Sequence, residues 1–436
     1  MTADFDPGRV AEDAVRWATE RGAEAAAVSR RRRRSGWQAG LMEDDRGQVI
    51  PNLANAITAF REAPELRDAF SYDEMAWSIV INRRLPGSRL KRGGGRALQD
   101  ADVTAVQEWL QRAGIARVGR DTTQQAAELI AREHAFHPVR DYLNGLKWDG
   151  VPRLDTWLSY YLGAASTAYT SSIGRWFLMS LVARIMRPGC QCDYMVVFEG
   201  EQGVGKSSAC RVLAGDWFSD SLPNLHNGDE KRISLHLRGK WVIEIGELSA
   251  ISKAEDRALK NFLTRTVEKY TPPYGQNEVT EARQCVFVGT TNEQAYLHDE
   301  TGARRYWPVK VGSHINLDDL AADRDQLFAE AVNAFRAGEH YWPDRDFEAE
   351  HIKPEQDARH VQDEWKNIIE AWLQEPEPGA HPLAYCSVAD VARKALFMTE
   401  SRLGTIEQRR IVAALRNLGW TQGRSSKARG WVRKLP

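Results

Sequence analysis

The 436-residue chain has few cysteines and no long apolar run. Its five cysteines are odd in number, and the C-x-C pair Cys190 and Cys192 has no second pair, which argues against a disulfide scaffold and against a zinc site. No apolar stretch approaches the roughly 18 residues of a transmembrane helix. The N-terminus also lacks the basic-then-apolar pattern of a secretion signal. The sequence therefore predicts a reduced, cytoplasmic protein with no membrane partner.

Net charge is nearly absent, at −1, but the charges are unevenly distributed. Residues 30–34 are five consecutive arginines, and residues 401–436 hold nine Lys or Arg against one acid, Glu407. Residues 344–377 are acidic. Local basic surfaces suit an anionic polymer such as nucleic acid. The alternative is that these charged residues form solvated faces without a partner.

No internal repeat is visible, and changes in sequence pattern divide the chain into segments. Strands that alternate with helices predict an α/β layer with one mainly parallel sheet in the core. Helices followed by a basic hairpin indicate a winged-helix-like end, with a small helical cap on the core as the alternative. The predicted segments are a basic arm (1–48), an α-helical N-terminal domain (49–169), the core (170–345), an acidic helical connector (346–384) and the small basic domain (385–436).

The most informative stretch is Gly-Glu-Gln-Gly-Val-Gly-Lys-Ser at residues 200–207, which fits G-x-x-x-x-G-K-[ST]. An apolar, β-prone segment precedes it and a helical segment follows, the context typical of a phosphate site. Glycines let backbone N–H groups converge on phosphate oxygens, the lysine reaches the β- and γ-phosphates, and the serine hydroxyl binds Mg²⁺. We therefore predict that ATP and Mg²⁺ are bound here, by Gly200, Gln202, Gly203, Val204, Gly205, Lys206, Ser207 and Ser208.

Two carboxylates follow on the next long apolar segment, Trp241 to Ile245. Glu247 falls just beyond the end of this predicted strand, where ligands sit in open α/β sheets. We predict that Glu247 holds Mg²⁺ together with Ser207, or polarises the attacking water. Glu244 lies in the middle of the strand and needs a partner if buried, so it either assists at the metal or pairs structurally.

Two further elements predict the rest of a nucleotide site. Asn292 follows the apolar strand 285–289, so its amide is placed to sense the γ-phosphate, or else simply closes a turn. Arg304 and Arg305 come later, and an arginine that reaches a neighbouring subunit's γ-phosphate accelerates hydrolysis by roughly 10³ to 10⁵. The sequence does not separate these two arginines, and a structural pair at the sheet edge is the alternative.

The segment 271–283 carries Pro, Gly and Asn at its centre, which predicts a hairpin or a long loop. Lys269, Tyr274 and Arg283 offer two cations and an aromatic ring, the groups that bind a single nucleic-acid strand. A solvated loop without a partner is the alternative.

The order of these motifs resembles a superfamily 3 helicase core. Their residues are similar to the motifs of the virulence-associated protein E family of phages, plasmids and pathogenicity islands. The resemblance covers about residues 50–345. One departure is the spacing Glu-x-x-Glu, where many superfamily 3 proteins have two adjacent acids. The matching stretches are 137–143, 148–153, 200–208, 241–248, 290–293 and 304–307.

The resemblance implies an α/β P-loop NTPase of AAA+-like fold that forms a homo-oligomeric, hexameric ring. It implies translocation on single-stranded DNA during replication of a mobile element in a bacterial host, with a primase or replication initiator as a candidate partner. By the same analogy Lys206 and Ser207 bind nucleotide, Glu247 serves Mg²⁺ or water, and Asn292 is the sensor. Arg304 or Arg305 would act in trans, and the hairpin before the sensor would contact DNA.

Three functions fit these observations. The leading prediction is an ATP-dependent DNA helicase or translocase. The second is an ATP-switched DNA-binding protein, in which the C-terminal domain recognises an origin and no processive unwinding occurs. The third is a small-molecule kinase on the same loop, although an arginine-rich lid of the expected kind is not found and Asn292 and Arg304 would then have no role.

Overall fold

A computed structural model describes residues 15–17, 19, 21, 36–88, 95–225, 228–272, 277–297, 303–360, 364–376, 379, 381–399, 402–424 and 429–433. The arginine run at 30–34 and Tyr274 lie outside these residues. The main helices are α1 (Leu53–Glu62), α2 (Asp100–Arg112), α3 (Arg120–Glu133), α4 (Pro138–Gly145), α5 (Trp157–Leu162), α6 (Ala168–Met186), α7 (Lys206–Ala214), α8 (Glu230–Leu237), α9 (Lys253–Leu263), α10 (Leu317–Arg336), α11 (Glu364–Gln374) and α12 (Thr405–Asn417).

Shorter helical turns lie before and between them, at Gly36–Gly40, Gly215–Trp217, Leu248–Ala250, Ala303–Arg305, Arg345–Phe347, Glu348–Ile352, Lys353–Asp357, Val388–Asp390 and Val391–Ala395. The strands are β1 (Phe70–Asp73), β2 (Ser78–Ile81), β3 (Arg96–Ala97), β4 (Ala135–Phe136), β5 (Met195–Glu199), β6 (Phe218–Ser219), β7 (Val242–Ile245), β8 (Val267–Tyr270), β9 (Val279–Ala282), β10 (Val286–Thr291), β11 (Tyr306–Lys310), β12 (Tyr385–Cys386), β13 (Trp420–Arg424) and β14 (Arg429–Arg433). None of the helices in the described ranges is both long and apolar enough to cross a membrane.

The centre of the molecule is a five-stranded, wholly parallel sheet in the order β11-β5-β10-β7-β6. Strands β5 and β10 are buried along their whole length, as expected of parallel strands with both faces covered by helices. This confirms the predicted mixed α/β core with a parallel sheet.

Alternate residues of β5 point to opposite faces of this sheet. Val196 and Phe198 pack with side chains of α6, α7 and α10, whereas Met195 and Val197 pack with α8 and α9. The two hydrophobic clusters hold the strands, and therefore the loops at their carboxyl ends, in a fixed arrangement.

The sequence predicted a helical N-terminal domain, but the structure shows strands in it as well. It contains a four-stranded sheet, β3-β2-β1-β4, packed with α1, α2 and α3. Its core begins at Leu41, inside the predicted arm. Helices α4 and α5 belong instead to the core of the central sheet, so the predicted boundary at residue 169 lies too late.

The predicted acidic connector is also not a separate unit. Its first part packs on the central core, where Ile352 is fully buried and Gln356 Nε2 donates to the Tyr306 carbonyl oxygen at 2.8 Å. Helix α11 packs instead with the C-terminal domain through Ile369 and Leu373.

The C-terminal domain combines helices with the three-stranded antiparallel sheet β12-β14-β13. As predicted, Ser387 caps the first helix: its Oγ accepts from the Asp390 N–H at 3.0 Å. Trp420 and Trp431, from the two strands of the hairpin, are buried in its core. The chain thus runs helix, helix, hairpin, in the order that the sequence predicted.

Candidate functional site

The glycine-rich loop lies between β5 and α7, at the carboxyl ends of the strands of the central sheet. Gly203 and Gly205 have φ values of 85° and 104°, in the left-handed region that favours glycine. A Cβ atom at Gly200 would come within 2.8 Å of Val311 Cγ2, so only glycine fits there without displacement. The loop leads into the N-terminus of a nine-residue helix, whose free N–H groups attract anions.

The remaining side chains predicted to bind nucleotide lie around this loop. Gln202, Ser207 and Ser208 are exposed, and Val204 is half-buried against the core. Gly203, within the loop, is exposed as well.

Lys206 is mostly buried and lies against the loop that precedes it. Its Nζ donates to the carbonyl oxygens of Gly200 and Glu201, both at 2.7 Å, and to Asn292 Oδ1 at 2.9 Å. Burial lowers the pKa of this ammonium, and the nearby Glu244 carboxylate opposes that shift. Two residues predicted from separate motifs, Lys206 and Asn292, are therefore in direct contact.

Ser207 is paired with Glu244 across the same edge of the sheet. Glu244 Oε1 accepts from Ser207 Oγ and from Thr290 Oγ1, both at 2.6 Å, within the range of hydroxyl hydrogen bonds. Glu244 Oε2 is buried and has no hydrogen-bond partner. Such an orphaned carboxylate oxygen is costly, and a divalent cation shared with the serine hydroxyl would satisfy it. Carboxylate and hydroxyl oxygens suit Mg²⁺, so the residues present fit this ion.

Of the two glutamates, Glu244 is the carboxylate in contact with Ser207, and the predicted Mg²⁺ role of Glu247 stays a prediction. Glu247 lies just beyond the end of β7 and is exposed. Its backbone φ is 52°, a value that non-glycine residues rarely adopt. Backbone strain of this kind is concentrated at functional sites. A role for Glu247 in polarising water remains a prediction.

Sequence reasoning missed several residues that support the loop. Thr290 is one, and a cluster around Glu199, the residue before the loop, is another. Glu199 Oε1 accepts from Tyr296 Oη at 2.8 Å and from Arg359 Nε at 2.9 Å, while Arg359 Nη2 donates to Oε2 at 2.9 Å. Burial, helped by the neighbouring carboxylate of Glu199, raises the pKa of Tyr296 and keeps it a donor. The cluster ties the loop to the segment that follows Asn292.

Arg304 and Arg305 lie at the amino ends of the strands of the central sheet, whereas Lys206 lies at their carboxyl ends. They precede β11, whose first residue, Tyr306, is paired with Met195 at the start of β5. The length of β5 therefore separates them from the loop, roughly 15 Å along a strand of five residues. Arg304 is exposed, whereas Arg305 is half-buried and its Nε has no hydrogen-bond partner. The fold does not bring either arginine to the loop of its own chain.

The segment predicted to contact nucleic acid forms the antiparallel hairpin β8–β9, which begins earlier than predicted, at Val267. Lys269 is exposed on it. Arg283 is not: its side chain is fully buried, is ion-paired with Glu268, and donates to the Phe262 carbonyl oxygen at 2.6 Å. Arg283 therefore anchors the base of the hairpin, and the prediction that it contacts DNA is corrected.

This difference predicts opposite behaviour for two hairpin variants. Arg283→Ala should lower the free energy of unfolding by about 3–5 kcal/mol, because Glu268 stays buried without its guanidinium partner. Lys269→Ala should change that energy by less than about 0.5 kcal/mol and, if the hairpin contacts DNA as the sequence predicts, weaken single-stranded DNA binding at low salt. Denaturant unfolding and a DNA titration measure both effects. A stable Arg283→Ala protein that has lost only DNA affinity would contradict the assignment.

Comparison with known proteins places this geometry in a family. Residues 143–361 match the model of the virulence-associated protein E-like domain. Because this match spans just over half of the chain, the protein belongs to the virulence-associated protein E-like family. The matched residues include the glycine-rich loop, Glu244, Asn292 and Arg304. No curated protein matches the chain.

Solved structures give a weaker likeness. The chain is similar to the apo A form of the NrS-1 C-terminal region, at 14% identity and a TM-score of 0.44, with 84% of this chain and 95% of that one covered. A second apo structure of the NrS-1 C-terminal region aligns over the same shares, at 14% identity and a TM-score of 0.41.

Proposed function

We propose that this protein is an ATP-dependent DNA translocase, a helicase, that acts in replication of a phage or other mobile element. The observation that carries the proposal is the meeting of Lys206, Ser207, Glu244 and Asn292 around one glycine-rich loop. These residues come from three parallel strands or the elements that follow them, and their types are those that nucleoside triphosphate hydrolysis requires. Membership of the virulence-associated protein E-like family supports the mobile-element context.

The contacts around the loop suggest how ATP is held. Phosphate oxygens would replace the carbonyl oxygens of Gly200 and Glu201 as acceptors for Lys206 Nζ. Because Asn292 Oδ1 shares the same ammonium group, its position would depend on whether the γ-phosphate is present. Ser207 and Glu244 would hold Mg²⁺, which neutralises charge on the phosphates. Glu247 would orient the attacking water.

We propose further that the core is AAA+-like and works as a ring. The position of β10, between β5 and β7, brings Thr290 and Asn292 to the loop as a third strand end. Arg304 is exposed at the opposite edge of the sheet, so it is available to a neighbouring subunit and not to its own loop. In such a ring the exposed Lys269 of each hairpin would contact single-stranded DNA, and hydrolysis at the interfaces would move the hairpins along it.

Strand displacement tests this function. A forked DNA duplex with a labelled strand is incubated with the full chain, ATP and Mg²⁺, beside the Lys206→Ala variant. We expect displacement by the wild type and none by the variant, since Lys206 holds the phosphates. Displacement that continues in Lys206→Ala would show that another site drives it, and no displacement on any fork polarity would remove the helicase assignment.

An ATP-switched DNA-binding protein is the second candidate, and the C-terminal domain favours it. The exposed surface at the start of α12 presents Gln408 and Arg409, with Arg402 just before the helix. These side chains are of the types that read base edges in the major groove. This function predicts sequence-specific duplex binding that survives Lys206→Ala, whereas a translocase should favour single strands with a strong inverse dependence on salt.

A further inference from the structure

A cavity of about 280 Å³ lies at the amino ends of β5 and β11, at the opposite edge of the central sheet from the glycine-rich loop. Trp307 of β11 is paired there with Val196 of β5, and both residues line the cavity. Helix α6, the segment before β5 and the residues after α10 close the other sides. None of the residues assigned above to ATP or DNA lines it.

Aromatic side chains make up half of the cavity's lining: Phe177, Tyr194, Trp307, Tyr341 and Trp342. Tyr194 and Trp307 stack on each other, with ring centroids 4.4 Å apart and planes 17° from parallel, which fixes both rings. Tyr341 and Trp342 meet edge to face at 4.8 Å. Rigid aromatic walls favour a flat ring as ligand, because stacking on them is strong and depends little on which ring is stacked.

Two polar atoms among the lining residues are buried and have no hydrogen-bond partner, Trp307 Nε1 and Asp193 Oδ1. Trp307 is only 3% exposed, so bulk solvent does not satisfy its donor. The other carboxylate oxygen of Asp193 accepts from Gln191 Nε2. Buried polar groups are nearly always paired in folded proteins, and unpaired ones are costly. A ligand that reached both atoms would satisfy one donor and one acceptor.

We propose that this cavity binds a nucleobase, or a planar heterocycle of the same kind. The ligand would stack on the aromatic walls, accept a hydrogen bond from Trp307 Nε1 and donate one to Asp193 Oδ1. Nucleobases carry a ring acceptor or carbonyl oxygen beside an N–H, whereas an apolar ligand would leave both protein atoms unsatisfied. A free nucleoside and an unstacked base of a DNA strand share this chemistry. The site is independent of ATP hydrolysis, because it lies at the other edge of the sheet from Lys206.

Calorimetric titration of the full chain tests this inference. The probes are adenosine, guanosine, cytidine and thymidine, and separately a short single-stranded oligonucleotide. We expect binding of at least one probe, weakened about tenfold by Asp193→Leu and by Trp307→Phe, since each removes one hydrogen-bonding group from a buried site. Lys206→Ala is the control and should bind as the wild type does, even if the protein hydrolyses no ATP.

Thermal unfolding separates a binding role from a structural one. Asp193→Leu should leave the melting temperature nearly unchanged, because the loss of one exposed hydrogen bond from Gln191 is offset by the removal of an unsatisfied buried acceptor. Trp307→Phe keeps an aromatic ring and removes the donor, so it tests the site if the first variant misfolds. Nucleoside binding would identify free nucleosides as ligands, and oligonucleotide binding alone would identify a base within a strand.

Three results would overturn the proposal. One is the absence of binding by every nucleoside and by the oligonucleotide. Another is binding that both variants leave unchanged, which would describe an apolar gap that takes additives without recognition. The third is binding that Lys206→Ala abolishes, since the nucleosides would then be occupying the glycine-rich loop.

Discussion

Arg304→Ala should reduce ATP hydrolysis by about 10³- to 10⁵-fold, the effect of losing an arginine that stabilises charge on the transferred phosphate from a neighbouring subunit. The expectation rests on position, because Arg304 is exposed at the edge of the sheet opposite its own Lys206. Arg305→Ala is the matched control. Since Arg305 is half-buried, we expect it to reduce thermal stability more than turnover.

A mixing experiment separates action in trans from action within one chain. Arg304→Ala protein has an intact loop, and Lys206→Ala protein has an intact arginine. If each arginine serves its neighbour, mixing the two inactive proteins creates interfaces that are complete, and hydrolysis returns in proportion to them. A mixture that stays as inactive as its components would contradict a role in trans, provided that size analysis shows the two proteins assembled together.

Glu244→Gln should raise the Mg²⁺ concentration required for half-maximal ATP hydrolysis by about 10- to 100-fold, the range found when a group that supports a metal is removed. The physical reason is that Glu244 Oε1 orients Ser207 and Oε2 is free to face the ion. A titration of Mg²⁺ at saturating ATP measures the effect. Thr290→Val keeps the side-chain shape, removes one hydrogen bond to the same carboxylate, and should shift the requirement only a few-fold.

Glu247→Gln should behave differently, because its carboxylate lies beyond the end of β7 and is not in contact with Ser207. We expect a lower turnover rate with an unchanged Mg²⁺ requirement, as befits a group that acts on water. If Glu247→Gln shifts the Mg²⁺ requirement and Glu244→Gln does not, the roles of the two carboxylates are the reverse of those proposed.

The candidate loop was predictable because its signal is local. Gly203, Gly205, Lys206 and Ser207 follow one another within five residues, and the strand and helix on either side have clear patterns. The strand that carries Glu244 and the strand that precedes Asn292 were also predictable from apolar runs. Residues of this kind need only the rule that carboxyl ends of parallel strands meet at one edge.

The roles of Glu244 and Arg283 were harder to predict, because each depends on partners distant in the sequence. The sequence favoured Glu247 since it lies at the strand end, but the register of β7 beside β10 sets Glu244 opposite Val288, two residues before Thr290. Arg283 looked like a DNA contact until Glu268, fifteen residues away on the partner strand, was found beside it. A charged residue inside an apolar strand is the signal that a buried partner exists.

The N-terminal sheet was missed for a different reason. Its strands are only two to four residues long, and β1 alternates buried Phe70 and Tyr72 with half-buried Ser71 and Asp73. Such short runs carry too little periodicity to compete with the helical patterns on either side. The Glu199 cluster was equally invisible, because Arg359 lies 160 residues further along the chain.

The most direct measurement is ATP hydrolysis by the full chain with Mg²⁺, with and without single-stranded DNA, beside Lys206→Ala. We expect hydrolysis that DNA stimulates and that the variant reduces by at least about 100-fold, because the ammonium that stabilises the phosphate charge is removed. Hydrolysis that is absent, or that neither DNA nor Lys206→Ala changes, would contradict the proposal that the meeting of Lys206, Ser207, Glu244 and Asn292 forms the motor of a DNA translocase.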